Sequence, residues 1–496
     1  MKKFCFIFLL FTRVICFGQD PGNLDFNWRQ VFIDAGATGQ VLSICVQDDG
    51  GMLVGGIFRT SSATGHSDVE NLIRLTSAGF IDKNFFRKTR NSLYFGANGS
   101  VEKIAINTDG KILIGGYFTQ IEGSDRRGIA RLNTDGSIDA GFTTINLNQT
   151  ARDFVIQPDG KILVTGRTTL ADNTTRDLYR LNPNGSLDPD FDAIINSNVD
   201  KISLQPDGKI LIAGRFTIVN GSNRTRIARL NADGSLDTSF DPGSGADGIF
   251  TSGLAIQPDG KILAVGDFIK FNNVIKNRIV RLNNNGTIDD TFDTGLGANG
   301  YVRGVIIQPD GKILAFGAFT TFNNISHNRI VRLRADGSID SSFKIGTGAN
   351  GTIRDVAFQS YIAPFNTKVD RIIIGGDFTS FNGDVSKGNR MASLVRGALE
   401  ATLISILNDI RHNDGQKTNA KEFNEVLGLT NITTDESVKL KDLIAEGAEI
   451  ETVSDLRELL DQIRKLEEIL TDIRGNNEGA DTDESDFNEL LGLEGD

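Results

Sequence analysis

Leu254-Ala255-Ile256-Gln257-Pro258-Asp259-Gly260-Lys261-Ile262-Leu263-Ala264-Val265-Gly266 is the stretch that decides the fold. Two short apolar runs flank a Pro-Asp-Gly step, where glycine supplies the positive φ that a tight reversal needs. The segment predicts a β-hairpin. Just downstream, Arg278 to Leu282 (RIVRL) predicts a third strand, Asn285-Gly286 a turn, and Thr287 to Phe292 (TIDDTF) a fourth. The same Asp-Gly step between apolar runs recurs at Asp49-Gly50, Asp109-Gly110, Asp159-Gly160, Asp207-Gly208 and Asp310-Gly311. Successive steps lie 60, 50, 48, 52 and 51 residues apart, a period that marks one supersecondary unit copied along the chain.

A seventh copy is degenerate. Val356-Ala357-Phe358-Gln359 and Arg371 to Phe378 match its first two strands, with Ser360 to Asp370 replacing the Pro-Asp-Gly turn, and Arg390 to Val395 matches the third. No fourth strand follows Arg396. A matching piece, Gly22-Asn23-Leu24-Asp25-Phe26-Asn27-Trp28, instead precedes the first copy. A ring accounts for that displacement, because a circular array of sheets removes its open edges only when the first and last units are joined. The expected fold is an all-β seven-bladed β-propeller closed by an N-terminal strand, plus a separate C-terminal α-helical domain.

Gln-Pro-Asp-Gly-Lys-Ile-Leu at 257–263, Gly-Gly-Tyr-Phe-Thr at 115–119, Ile-Ala-Arg-Leu-Asn at 227–231 and Asp-Gly-Ser-Leu-Asp at 233–237 together resemble the delta-60 repeat. This is a propeller repeat of bacterial exported and surface proteins. The resemblance covers roughly residues 22–397. It implies the fold strongly and an activity hardly at all, since the family is functionally uncharacterised.

Composition agrees with a turn-rich β protein: Gly 55 and Phe 32 stand beside Met 3 and Trp 1 among 496 residues. Net charge is -12 and gives no reason to expect nucleic acid. The acidity is local. Leu399 to Asp496 holds 25 acidic and 9 basic residues, whereas Gln19 to Ala398 holds 39 and 40. Residues 1–18 read as a signal peptide, with Lys2 and Lys3 ahead of the apolar Phe4 to Phe11 and the small Gly18 at the cut. A lipoprotein cut before Cys16 would place the bulky Ile15 where a small residue is expected. The apolar run is too short for a bilayer span, and no later stretch provides one. A secreted or cell-surface protein is expected, with a periplasmic location as a variant. Of three cysteines, only Cys45 lies beyond the signal, in an apolar strand where a buried thiol is expected.

Some polar residues recur with the repeat. Arginine precedes leucine at Arg74, Arg131, Arg180, Arg229, Arg281 and Arg332, and an aspartate follows at Asp82, Asp139, Asp188, Asp237, Asp289 and Asp340. One site does not need a residue six times, whereas six equivalent sheets do. Each arginine is therefore read as scaffold, paired to a neighbouring carboxylate or carbonyl and fixing register within its sheet.

A localised function should sit in what differs between copies. The loops after the second strand vary most. The longest, Arg59 to Asn71, contains His66; later ones carry Phe271-Asn272, Phe322-Asn323 and Phe381-Asn382, which are the candidate binding residues. Their Asn, Ser and Thr suit a glycan and equally suit ordinary turns. No catalytic constellation, cofactor or metal site is expected. His66, His327 and His412 are far apart, and Asp188-Pro189-Asp190-Phe191-Asp192 alternates carboxylates as a solvated edge does, although calcium is the competing reading. Gly295 to Gly300 does not open a helix and so makes no phosphate loop.

After Arg396 the character of the chain changes. Leu456, Leu459, Ile463, Leu466, Leu470 and Ile473 are spaced 3, 4, 3, 4, 3, the stripe of a packed helix, and Leu460 and Ile469 widen it toward a bundle. Ile410-Arg411 before Phe423-Asn424-Glu425-Val426-Leu427-Gly428-Leu429 is echoed by Ile473-Arg474 before Phe487-Asn488-Glu489-Leu490-Leu491-Gly492-Leu493, giving two helix-loop-helix units in the acidic tail, 398–496. Asn413-Asp414-Gly415 invites comparison with a calcium hand, but the ligand spacing fails. The expectation is a non-enzymatic binding and scaffold protein with a protein partner at the tail. The alternative is a carbohydrate-active enzyme whose carboxylates gather at the propeller's channel mouth.

Overall fold

The computed structural model describes residues 39–395 except 60–68, 78, 83, 86–94, 144–149, 171–172, 364–366 and 385–389; of the tail it describes Ser437, Leu440, Leu460 and Arg464 alone. Residues 28–361 with 371–394 make one compact unit, and residues 1–27, 362–370 and 395–496 group as a second. The signal segment, the strand expected at Gly22–Trp28, His66, His412 and the two helix-loop-helix units lie outside the described residues. The four described tail residues are helical, with Leu440 and Leu460 buried.

Among the described residues, seven antiparallel sheets of one design, four of them with a small two-stranded hairpin beside them, follow each other along the chain. Their first strands are Gln40–Val46, Val101–Ile106, Asp153–Ile156, Val199–Leu204, Ile249–Ile256, Val302–Ile307 and Ile353–Ala363. The second strands begin at Met52, Ile112, Ile162, Ile210, Ile262, Ile313 and Thr367, and the third strands end at Leu75, Leu132, Leu181, Leu230, Leu282, Leu333 and Val395. We number the sheets 1 to 7 in that order. Sheet 1 gains a short parallel edge, Phe95–Gly96. Asp-Gly turns join first to second strands in sheets 1 to 6 as the repeat predicts; at Gly260, φ is +82° and its N–H donates to Gln257 O at 2.9 Å.

Apolar side chains from adjacent sheets interlock. Leu263 and Val265 of sheet 5 pack with Val302, Val305 and Phe319 of sheet 6 in one dry cluster. Ile373 and Met391 of sheet 7 join Val41, Ile44 and Met52 of sheet 1 in another. The first sheet therefore packs directly on the last. Gly375 permits the approach, since a Cβ there would strike Val41 and Ile44.

The expected fourth strand is reduced. Ile288 makes a single bridge to Leu282, and the same bridge links Ile138 to Leu132 and Leu236 to Leu230. The chain then coils instead of extending, because Asp289 Oδ1 accepts the Thr291 N–H at 3.1 Å and Phe292 N–H turns back to Asp289 O. Sequence also missed the small hairpins beyond the second strands. Lys270–Phe271 pairs with Val274–Ile275, and Thr321–Phe322 pairs with Ile325–Ser326. Asn272 and Asn273 turn the first with φ of +50° and +65°, a region asparagine tolerates better than most residues.

Candidate functional site

Each sheet has two ends. One carries the Asp-Gly turns and the turns after the third strands. The other carries the small hairpins and the starts of the first strands, as Val302 pairing with Gly317 shows.

The Asp-Gly end is built from one repeated node. In sheet 4, Arg229 Nε lies 2.6 Å from Asp237, Lys209 Nζ reaches the same carboxylate at 2.8 Å, and the guanidinium covers the Phe240 ring at 5.0 Å. Arg131–Asp139 at 2.7 Å, Arg180–Asp188 and Arg281–Asp289 at 2.6 Å and Arg332–Asp340 at 2.8 Å repeat it, and Arg74 pairs with Asp82. The arginines also reach beyond their own sheet. Arg229 donates to Asn284 O of sheet 5 at 2.6 Å, and Arg180 to Ala232 O of sheet 4 at 2.5 Å. They thus set spacing between sheets as well as register within one. Burial alone would raise Asp139, but hydrogen bonds from Lys111 and Arg131 outweigh it and hold the carboxyl at about 2.

The predicted loop residues are held within the fold. Phe271, Phe322 and Phe381 are fully buried, with Phe271 edge-on to Phe268 at 6.2 Å. Asn272 Oδ1 accepts the Ser244 N–H at 3.1 Å, Asn323 Oδ1 that of Leu296 at 3.1 Å, and Asn382 Oδ1 that of Gly348 at 2.9 Å. Other polar loop residues bond each other: Asn299 Oδ1 accepts from Thr320 and Thr321 while its amide donates to Thr320 Oγ1, and Asn196 does the same with Thr217 and Ile218. His327 is buried, which lowers its pKa. In the suspected calcium alternation, Asp188 belongs to the Arg180 node and Asp192 pairs with Arg176 at 3.0 Å.

What differs most between copies is the start of the first strand, which sequence reading passed over. Leu42, Glu102, Asp200 and Arg303 each fall where the pairing register slips by one residue. Such a bulge leaves one residue unpaired and re-aims its side chain. Arg152 and Arg354 hold the same place in sheets 3 and 7. The next position carries Ser43, Lys103, Asp153, Lys201, Gly253, Gly304 and Asp355. Ser43 accepts the Ile104 N–H at 3.1 Å, Asp153 that of Ile202 at 3.2 Å, and Asp355 that of Ile44 at 2.7 Å, each from the following sheet. The last bond joins sheet 7 to sheet 1.

These side chains converge. Lys103 and Lys201 approach Asp153 at 3.6 and 3.7 Å. Asp153, against the opposing effect of burial, raises Lys103, and Asp355 adds to it. Burial raises Asp355, while Lys103 and Lys201 pull it back. Groups from sheets 2, 3, 4 and 7 thus share one charged cluster. Cys45 lies beside it, half-buried, its thiol pushed up to about 11 by burial. Among the described residues no three His, Cys, Asp or Glu side chains group as metal ligands.

Residues 108–142, 157–191, 205–240, 257–292 and 308–343 match the family described as a domain of unknown function (DUF5122) beta-propeller. These five matched segments fall in sheets 2 to 6, and the family is the delta-60 repeat propellers that their motifs resemble. No curated protein matches the chain. Similar solved structures include PorZ, a surface component of the type-IX secretion system of Porphyromonas gingivalis, at 12% identity over 74% of this chain and 48% of that one, TM-score 0.41. The extracellular domain of the putative hybrid two component system BT4673 from B. thetaiotaomicron is similar at 13% identity over 73% and 39%, TM-score 0.39. A streptogramin B lyase is similar at 15% identity over 74% and 95%, TM-score 0.36. This chain spans about half or less of the first two.

Proposed function

We propose that the chain is an exported, non-enzymatic binding and scaffold protein that presents the hairpin end of its sheets to a protein partner. In this reading the seven sheets are the blades of one ring, Gly22–Trp28 completes the seventh, and the acidic tail is a helical domain that engages a protein of its own. One observation carries the reading. Exposed apolar side chains gather at the hairpin end of sheets 4 to 6, with Ile275 64% exposed, Ile194 58%, Leu296 57% and Ile325 54%. Ile194 and Ile218 flank one hairpin, while Ile275 and Leu296 lie on neighbouring segments linked through Asn277. Neighbouring exposed apolar groups on a rigid frame suit a protein surface better than water. The loop asparagines and threonines bond each other, which favours an apolar protein contact over a glycan. No helix among the described residues is long and apolar enough to cross a membrane.

The test uses the full chain and a variant with Ile275→Ser, Leu296→Ser and Ile325→Ser, each cross-linked to the surface fraction of the native organism. The expected result is one cross-linked species lost in the variant at unchanged Tm. An identical pattern in both would refute the hairpin end as the docking face.

The alternative of a carbohydrate-active enzyme draws on Asp200 and Asp355, whose carboxyls burial raises. Both are engaged, Asp200 with Arg152 at 3.0 Å and Asp355 with the Ile44 N–H. Polysaccharide hydrolysis that disappears in Asp355→Asn would favour this reading.

A further inference from the structure

The bulge residues are not electrically equivalent around the ring. Between sheets 3 and 4, Arg152 reaches Asp200 at 3.0 Å and Arg215 approaches the same carboxylate at 3.4 Å. Between sheets 6 and 7 both bulge positions are arginine. Arg354 pairs with Asp377 at the end of its own second strand. Arg303 differs: its Nε donates to Arg354 O at 3.2 Å, and no described carboxylate lies within ion-pair distance of its guanidinium. The side chain is half-buried. Its terminal nitrogens therefore have donors left to give in a half-buried setting.

The titratable groups that face Arg303 come from sheets 2 and 7 and from the start of its own sheet. Arg354 repels it, while Tyr301, Glu102 from sheet 2 and Asp355 from sheet 7 oppose that effect. Burial and Arg354 together pull its pKa down from the ordinary arginine value, the sign of a cation short of counter-charge. A planar guanidinium with free N–H groups receives a carboxylate through two parallel bonds. Glu102 and Asp355 would repel a dianion more than a monoanion, so one surplus cation matches one negative charge.

We propose that Arg303 is the anchor of a binding site for a monoanionic carboxylate at the hairpin end of sheets 6 and 7, with Arg354 as its positioning neighbour. The site stands on different residues from the apolar docking face and does not depend on it.

The test follows the arginine Nε–H resonances of the full chain during titration with acetate, the smallest carboxylate. Acetamide serves as the neutral counterpart and inorganic phosphate as the dianion-forming one. The expected result is a saturable shift with acetate, none with acetamide, and weaker binding of phosphate as rising pH makes it a dianion. Arg303→Gln should weaken acetate at least about tenfold, the equivalent of ~1.4 kcal/mol. Arg303→Lys keeps the charge but not the two-pronged geometry and should fall between, which keeps the test usable if the glutamine variant is poorly folded. Arg334→Gln, exposed at the opposite end, should change nothing. No saturable shift with acetate, equal shifts with acetamide, or acetate binding undiminished in both Arg303 variants would overturn the proposal.

Discussion

The two ends of each sheet treat charge in opposite ways. At the Asp-Gly end one arrangement, an arginine and a lysine on an aspartate with a phenylalanine beneath, recurs from sheet 2 to sheet 6 with ion-pair distances between 2.6 and 2.8 Å for the arginine. Near the hairpin end, equivalent positions at the starts of the first strands carry Glu102, Arg152, Asp200, Arg303 and Arg354. Repetition marks what sheets need to stand beside one another. Variation marks where individual sheets differ in what they can hold.

The sharpest way to break this contrast is to remove a node. Arg229 is 3% exposed, and Arg229→Ala would leave Asp237 buried with Lys209 as its remaining cation and empty a contact to sheet 5. Breaking a buried pair by deleting one partner costs about 3–5 kcal/mol. Arg281→Ala and Arg332→Ala should cost the same within about 1 kcal/mol by denaturant melts, given the usual context scatter of such values. Unequal losses would mean the nodes are not equivalent.

Next in size is the seam. Asp355→Ala deletes the acceptor of the Ile44 N–H and a counter-charge of Lys103, and an unsatisfied buried donor costs about 1–3 kcal/mol. The loss should appear as a lower Tm.

pH separates the two ends by sign. Hydrogen bonds override burial and hold Asp139 at about 2, and the serine and arginine contacts of Asp340 hold it there too, below the unfolded value of about 4. Their contribution is complete above the unfolded value and lost as pH falls through the folded one. Tm should therefore drop steeply between about pH 4 and pH 2, and less steeply in Asp139→Asn. Asp200 and Asp355 are raised by burial, so their contribution runs the other way and is lost as pH rises through their folded values. Asp355→Asn should flatten that opposite trend.

The smallest effect belongs to the hairpins. Asn323→Ala removes one bond to the Leu296 N–H and places alanine at a φ of +49°, which should cost about 1 kcal/mol by the same melts.

Much of this architecture was legible because repetition reports itself. The Asp-Gly period located the hairpin of all but the degenerate seventh sheet, and the arginine eight residues before each aspartate marked partners that the fold brings together, as in Arg281 and Asp289. What stayed hidden depends on pairing. A bulge at Arg303 exists only because Val302 and Gly304 pair with adjacent residues of the next strand, and no periodicity in one strand announces it. Phe271 looked like a loop tip in sequence, yet its short hairpin folds the ring back onto Phe268. The Asp-x-x-Phe segment alternates like a strand but is coiled by the very aspartate that binds the arginine.

Amide hydrogen exchange at Ile44 addresses ring closure more directly than any variant. Its N–H donates to Asp355, 311 positions away, just as the Ile202 N–H donates to Asp153 of the adjacent sheet. A shut ring predicts that both amides exchange at comparable rates and only with global unfolding. Free exchange at Ile44 beside a protected Ile202 would mean that sheets 1 and 7 do not meet in solution.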